Sequence, residues 1–182
     1  MELGLLGKVA LVTGSSRGIG RGVALAFANE GCDLLLTGRD AAALDEVAKT
    51  IRDQGRKAAV VALDLREAGA PAILVAAVKT EFGGLDILIN NAGATKRGDF
   101  FELTDADWAD GYAPKFFAHV RLARAAWPLL KERRGSLIAI AGTSGRKPEK
   151  AFTIGSSVNA AVAAFSKCLA HLGKEEDRKS VV

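Results

Sequence analysis

Two groups of residues have the types and spacing that chemistry needs. The first is Gly14, Gly18 and Gly20, in the run Lys8-Val9-Ala10-Leu11-Val12-Thr13-Gly14-Ser15-Ser16-Arg17-Gly18-Ile19-Gly20. Glycines placed there permit a tight turn and close backbone approach. The helix they open offers free N–H groups and partial positive charge to a pyrophosphate. The second group is Tyr112, Lys115 and His119. Spacings of three and four residues put them on one helical face, where a phenol and an ammonium form an acid pair. The alternative is packing: Tyr112 and His119 at helix interfaces, Lys115 toward solvent or a ligand.

The elements that must position these groups alternate. Residues 8–13, 32–37, 58–63, 85–89 and 136–141 read as short apolar strands. Helices are expected over 18–30, from Asp40 as N-cap to 54, over 68–82, over 104–134 and over 156–172. Pro114 and Pro128 fall inside the long fourth helix, and Pro114 should strain or kink it. Strands that are apolar throughout, alternating with amphipathic helices, give right-handed crossovers and a parallel sheet. The expected order is 3-2-1-4-5, in three α/β/α layers. Residues 1–182 read as one domain, with a polar tail over 173–182.

Composition excludes several classes. The chain has 182 residues, 49% hydrophobic and 25% charged, with net charge +4, as ordinary globular domains do. Its basic residues are scattered, apart from Lys131-Glu132-Arg133-Arg134 and Arg146-Lys147, and no aromatic-basic platform suits nucleic acid. Two histidines and two distant cysteines, Cys32 and Cys168, argue against zinc. Both thiols are expected to be free and buried. No apolar run is long enough to span a membrane, and the start lacks a signal peptide's pattern. The expected location is the cytoplasm.

The glycine run, together with Leu85-Asp86-Ile87-Leu88-Ile89-Asn90-Asn91-Ala92-Gly93, resembles the short-chain dehydrogenase/reductase family. The Gly-x-x-x-Gly-x-Gly spacing is that family's, and the likeness extends from residue 5 to about 172. The resemblance implies a Rossmann-type doubly wound sheet and a nicotinamide dinucleotide. That cofactor would lie on Gly14, Ser15, Ser16, Arg17, Gly18, Ile19 and Gly20, with Asp64 and Leu65 at the adenine and Asn91, Ala92 and Gly93 beyond. A carboxylate ending the second strand would select NAD; here stands Gly38, followed by Arg39. With Arg17, two guanidinium groups favour the 2′-phosphate of NADP(H) over NAD(H). Asp40 is read as a helix cap.

The same resemblance implies a serine, a tyrosine, a lysine and an asparagine that move protons during carbonyl reduction. Their positions here hold Gly142, Gly155, Asn159 and Lys115. Thr143 or Ser144 could replace the serine, and Tyr112 with Lys115 could replace the acid. The chain ends before two further strands, a nicotinamide loop and a lid that relatives carry, so the fifth strand is expected at a sheet edge. Three readings stay open: an oxidoreductase of a small carbonyl or alcohol with altered chemistry, a non-catalytic nucleotide-binding or partner subunit, and a non-functional truncated product. The resemblance implies a homodimer or homotetramer through helices 104–134 and 156–172.

Overall fold

The computed structural model describes residues 3–175 and 179–181. Its elements follow in the order β1 (Val9–Thr13), α1 (Gly18–Asn29), β2 (Asp33–Gly38), α2 (Ala41–Asp53), β3 (Ala58–Ala62), α3 (Ala70–Phe82) and β4 (Ile87–Asn90). Then come α4 (Asp105–Tyr112), α5 (Ala118–Glu132), β5 (Ser136–Ala139), α6 (Thr153–Glu175) and β6 (Lys179–Val181). The strands form one sheet in the order β3-β2-β1-β4-β5-β6, and every pairing is parallel. The expected order 3-2-1-4-5 is present.

Burial of both faces explains the apolar strands. Leu11, Leu35, Leu88 and Leu137 point to the face covered by α3 and α5. Their neighbours Ala10, Val12, Leu34, Leu36, Ile87 and Ile89 point to the face covered by α1 and α2. Alternate residues along a strand face opposite ways, so both sets must be apolar. Helix α2 shows the matching helical pattern, burying Leu44, Val47, Ala48 and Ile51. Asp40 caps it, accepting the Ala43 N–H at 3.1 Å, as the sequence suggested.

Four expectations need correction. The helix expected over 104–134 is broken: a π-turn over Ala113–Phe117 separates α4 from α5. Pro114 has no N–H to return to the carbonyl four residues back, and the i→i+5 pattern, closed by Ala118 N–H on the Ala113 carbonyl, absorbs that gap. Helix α6 starts at Thr153, not 156. The tail 173–182 is helical to Glu175 and supplies β6, which pairs with β5 from Ser136↔Lys179 to Ile138↔Val181, so β5 is not an edge. Cys32 is buried, its thiol pushed up to about 11 by desolvation, but Cys168 is exposed.

Candidate functional site

The strand order reverses between β1 and β4, because β1 leads to β2 on one side and β4 to β5 on the other. Loops at such a switch point diverge and leave a crevice at the carboxyl ends of the strands. Here the crevice is a groove of about 440 Å³. Its lining comes from the loop after β1 (Gly14, Ser16, Arg17, Gly18, Ile19), the end of β2 (Gly38, Arg39) and the loop after β3 (Leu63 to Arg66). The loop after β4 (Asn91 to Ala94) and residues Asp110 and Pro114 complete it.

The glycine loop divides into structural and open positions. A Cβ on Gly20 would strike the Gly14 carbonyl, so glycine lets α1 close onto the loop. Gly18 has φ +55° and nothing within 4 Å of a built Cβ, so its backbone faces open groove. Ser15, expected at the cofactor, is buried instead, its hydroxyl accepting the Thr37 N–H at 3.1 Å. Arg17 sits at the N-cap of α1 with no side-chain cap, and no acid occupies the first turn. Those first N–H groups suit an anion.

Thr13 and Asn91 hold the loops together. The Thr13 hydroxyl donates to the Ile89 carbonyl at 3.1 Å and accepts the N–H groups of Asn91 and Ala92 at 2.9 and 3.0 Å. Asn91 Nδ2 donates to the Thr13 and Gly14 carbonyls at 2.9 and 3.3 Å. Asn91 thus fixes the glycine turn from across the groove. An open groove with glycine at its floor and unpaired helix N–H groups fits a dinucleotide's pyrophosphate.

At the end of the groove formed by the loop after β3, sequence reasoning missed two partners of Asp64 and its loop. Arg66 donates to Asp64 Oδ2 through Nε at 2.9 Å and Nη2 at 2.7 Å, and to Asp110 Oδ1 through Nη1 at 2.8 Å. These bonds hold the Asp64 carboxyl below its usual range. Arg66 lies only two residues past Asp64, which a sequence reader could have noticed. Asp110 is 44 residues from Arg66, and only the fold brings it in.

At the other end the expected acid pair is divided. Tyr112 stacks on Trp108 with centroids 6.4 Å apart and meets Phe116 edge-on. It packs with these rings against Ile154 and Val158 of α6. Lys115 instead leans on Gly93, where any Cβ would collide with the lysine stem at about 2.6 Å. The π-turn widens the helix at this point, so a spacing of three no longer means one face. Lys115 is half-buried, and desolvation lowers its pKa. His119 is buried against the Ala92 carbonyl at 3.1 Å, and desolvation brings it to about 4. Its Nε2 must carry the hydrogen to meet that carbonyl, which leaves Nδ1 unpartnered.

Gly142, Gly155 and Asn159, where the sequence resemblance led to an expected serine, tyrosine and lysine, are closely packed. Asn159 is 3% exposed, accepts the Gly142 N–H at 2.7 Å and donates to Ser144 Oγ at 3.0 Å. A Cβ on Gly142 would press on Asn159 at 2.7 Å. A Cβ on Gly155 would enter the ring of Phe152. Thr143 is exposed on the same loop, while Ser144 is turned inward.

A family model described as short chain dehydrogenase matches residues 8–178. The chain belongs to that family. It is 38% identical over 165 residues to an uncharacterised oxidoreductase of Mycobacterium tuberculosis, covering 90% of this chain and 63% of the relative. It is 28% identical over 167 residues to 2,3-dihydro-2,3-dihydroxybenzoate dehydrogenase of Bacillus subtilis, covering 91% and 64%. The chain thus spans less than two thirds of the length of these curated relatives. Among solved structures, L-sorbose reductase of Gluconobacter frateurii with NADPH and L-sorbose superposes with TM-score 0.95 at 34% identity, over 98% of this chain and 69% of that one. A short-chain dehydrogenase/reductase of Burkholderia phymatum with NAD superposes with TM-score 0.92 at 25% identity, over 99% and 64%. No helix among the described residues is long and apolar enough to cross a membrane, and no cluster of metal-ligating side chains stands among them.

Proposed function

We propose that this short-chain dehydrogenase binds NADP(H) in preference to NAD(H) and acts on a small carbonyl or alcohol through an altered proton-transfer site. One observation carries the preference. Arg17 and Arg39 both line the groove, and β2 ends in Gly38 rather than a carboxylate. The acid next in sequence, Asp40, caps α2, and Asp64, which also lines the groove, is paired with Arg66. Two guanidinium groups form charge-assisted bonds to a 2′-phosphate that NAD(H) lacks. Ser16, Gly18 and Ile19 would hold the pyrophosphate, and Ala92 and Gly93 would flank the nicotinamide. Bound NADPH would supply a hydride to the substrate carbon. Lys115, packed on Gly93, and the exposed Thr143 hydroxyl are the groups we assign to the substrate oxygen. The family resemblance puts Lys115 at the position of the asparagine and Asn159 at that of the lysine. The test is calorimetric titration with each cofactor. NADPH should bind more tightly, and Arg39→Asp should reverse the order; equal affinities in the unmodified chain would count against the reading.

A second reading has its own support. Gly155 faces Phe152, and Asn159 is engaged by Gly142 and Ser144, so no phenol stands at the reaction centre. Loss of general acid catalysis costs roughly a hundred- to ten-thousandfold. The chain would then bind nucleotide without turnover, as a sensor or a partner subunit. NADPH consumption across a panel of ketones and aldehydes separates the two. Measurable reduction that Lys115→Ala abolishes supports the enzyme, and tight binding without consumption supports the subunit.

A further inference from the structure

Another cavity, of about 260 Å³, opens at the opposite end of the sheet, where the strands begin. Lys8 precedes β1, Asp86 precedes β4 and Ser136 starts β5. Along β4 the cavity is therefore roughly 16 Å from the Asn91 loop of the dinucleotide groove. Leu5, Phe27, Ile87 and Ile138 give it an apolar lining. Its charges do not cancel. Asp86 Oδ1 accepts from Lys8 at 3.2 Å, and Oδ2 accepts the Val9 N–H at 2.9 Å and Arg133 Nη1 at 3.1 Å. This one carboxylate is matched by three cations in the lining, Lys8, Arg133 and Arg134. Lys8 and Arg133 each give it one bond and keep further N–H donors. Arg134 makes no side-chain hydrogen bond or ion pair among the described residues.

Arg134 also stands where arginine is unfavourable. Helix α5 ends in a Schellman turn, the Gly135 N–H donating to the Leu130 carbonyl at 2.7 Å and the Arg134 N–H to the Lys131 carbonyl at 3.3 Å. The left-handed position of that turn normally takes glycine. Arg134 holds it with φ +49°, alone among the described non-glycine residues. A cation near a helix C-terminus is favourable, but Lys131 already supplies one in the last turn. The turn therefore gives no reason for this arginine, and the cavity beside it does. We propose that the cavity binds a small carboxylate with an apolar body, a short-chain or aromatic acid. Arg134 and Lys8 would take the carboxylate, and Phe27, Ile87 and Ile138 would enclose the body. A bare inorganic anion would leave the apolar lining unused. The volume lies just under the usual range of ligand sites, roughly 300–1,000 Å³, which suits a molecule smaller than a nucleotide. This site is separate from the groove and does not depend on the cofactor reading.

Hexanoate is the probe. Titrated while backbone amide shifts are followed, it should move Val9, Ile87 and Ile138 in a saturable way and leave Gly18 and Ala92 in place. Acetate lacks the body and hexanol lacks the charge, and each should bind at least roughly tenfold more weakly. Arg134→Gly should raise the melting temperature, by relieving the left-handed backbone, and weaken hexanoate roughly tenfold. Ser136→Asp adds a second carboxylate to the lining and should remove binding. No saturable shift, phosphate bound as tightly as hexanoate, or unchanged hexanoate affinity in Arg134→Gly or in Ser136→Asp would each overturn the proposal. So would displacement of hexanoate by NADPH, which would place it in the groove. A lower melting temperature in Arg134→Gly would show that the arginine serves the fold, and would overturn the proposal as well.

Discussion

Gly155 and Phe152 are packed against each other at the start of α6. In α6 the first atom of any side chain at 155 would enter the Phe152 ring. The Phe152 ring is in turn stacked by Arg97, whose guanidinium carbon lies 4.1 Å from its centroid and which pairs with Glu149 at 2.8 Å. Placing a tyrosine at 155 therefore means overpacking, which typically costs about 1–3 kcal/mol. Gly155→Tyr should lower the melting temperature and give no ketone reduction. Adding Phe152→Ala should return part of the lost stability. Asn159→Lys should destabilise as well, since it removes the bonds to Gly142 and Ser144. Gly155→Tyr with an unchanged melting temperature would show that Phe152 moves freely. The sequence singled out Gly142, Gly155 and Asn159 by counting from flanking motifs. Their packing partners were not legible, because Phe152 and Ser144 meet them only through the helix start and the short turn after β5.

Among the elements, those read well were the ones governed by local physics. Alternating burial on two faces gave β1 to β5, and the Asp40 cap gave the start of α2. The π-turn was missed because a proline in a helical pattern signals disturbance, not its form. That turn decides the site, sending Tyr112 to the aromatic cluster and Lys115 to Gly93. Helix α5 is joined to the β4 loop by His119, which gives it a pH dependence. The folded value of about 4 lies below the ordinary imidazole value of about 6.5. Between these the unfolded chain binds the proton first, so the neutral form's contribution is complete at pH 7. It is lost as pH falls from about 6.5 toward 4, on the order of 3 kcal/mol. Asp86, bonded by the Val9 N–H, Lys8 and Arg133, has its pKa lowered. Its contribution is lost only at lower pH, as the medium passes through that depressed value. Urea unfolding from pH 7 to 4 should show the first loss, and His119→Gln should flatten it. A flat profile in the unmodified protein would refute the buried neutral imidazole.

At the scale of the whole molecule, α6 carries a face that the sheet does not use. Its buried side, Ile154, Val158 and Val162, meets the α4 aromatics and β5. Its other side exposes Ala160, Ala164, Cys168 and Leu172, at spacings of four. This is where the sequence placed close helix contact, and the exposed alanines allow backbones to approach. Exposure of Cys168, which the sequence reading put inside, adds a direct probe of the face. Apolar periodicity marked position 168 as buried because it fits a helix contact, and a single chain cannot show whether the contact lies within the molecule or between copies. We expect two copies to meet through this face and the adjoining surface of α5. Light scattering should give a dimer or tetramer, and Ala164→Arg should shift it toward monomer by placing a charge in the contact. Mild oxidation should join copies through Cys168 if paired α6 helices bring the two thiols together. Reaction of Cys168 with a water-soluble thiol reagent should be slower at high protein concentration and faster in Ala164→Arg. A monomer at all concentrations, with Cys168 equally reactive in both proteins, would place the association elsewhere or remove it.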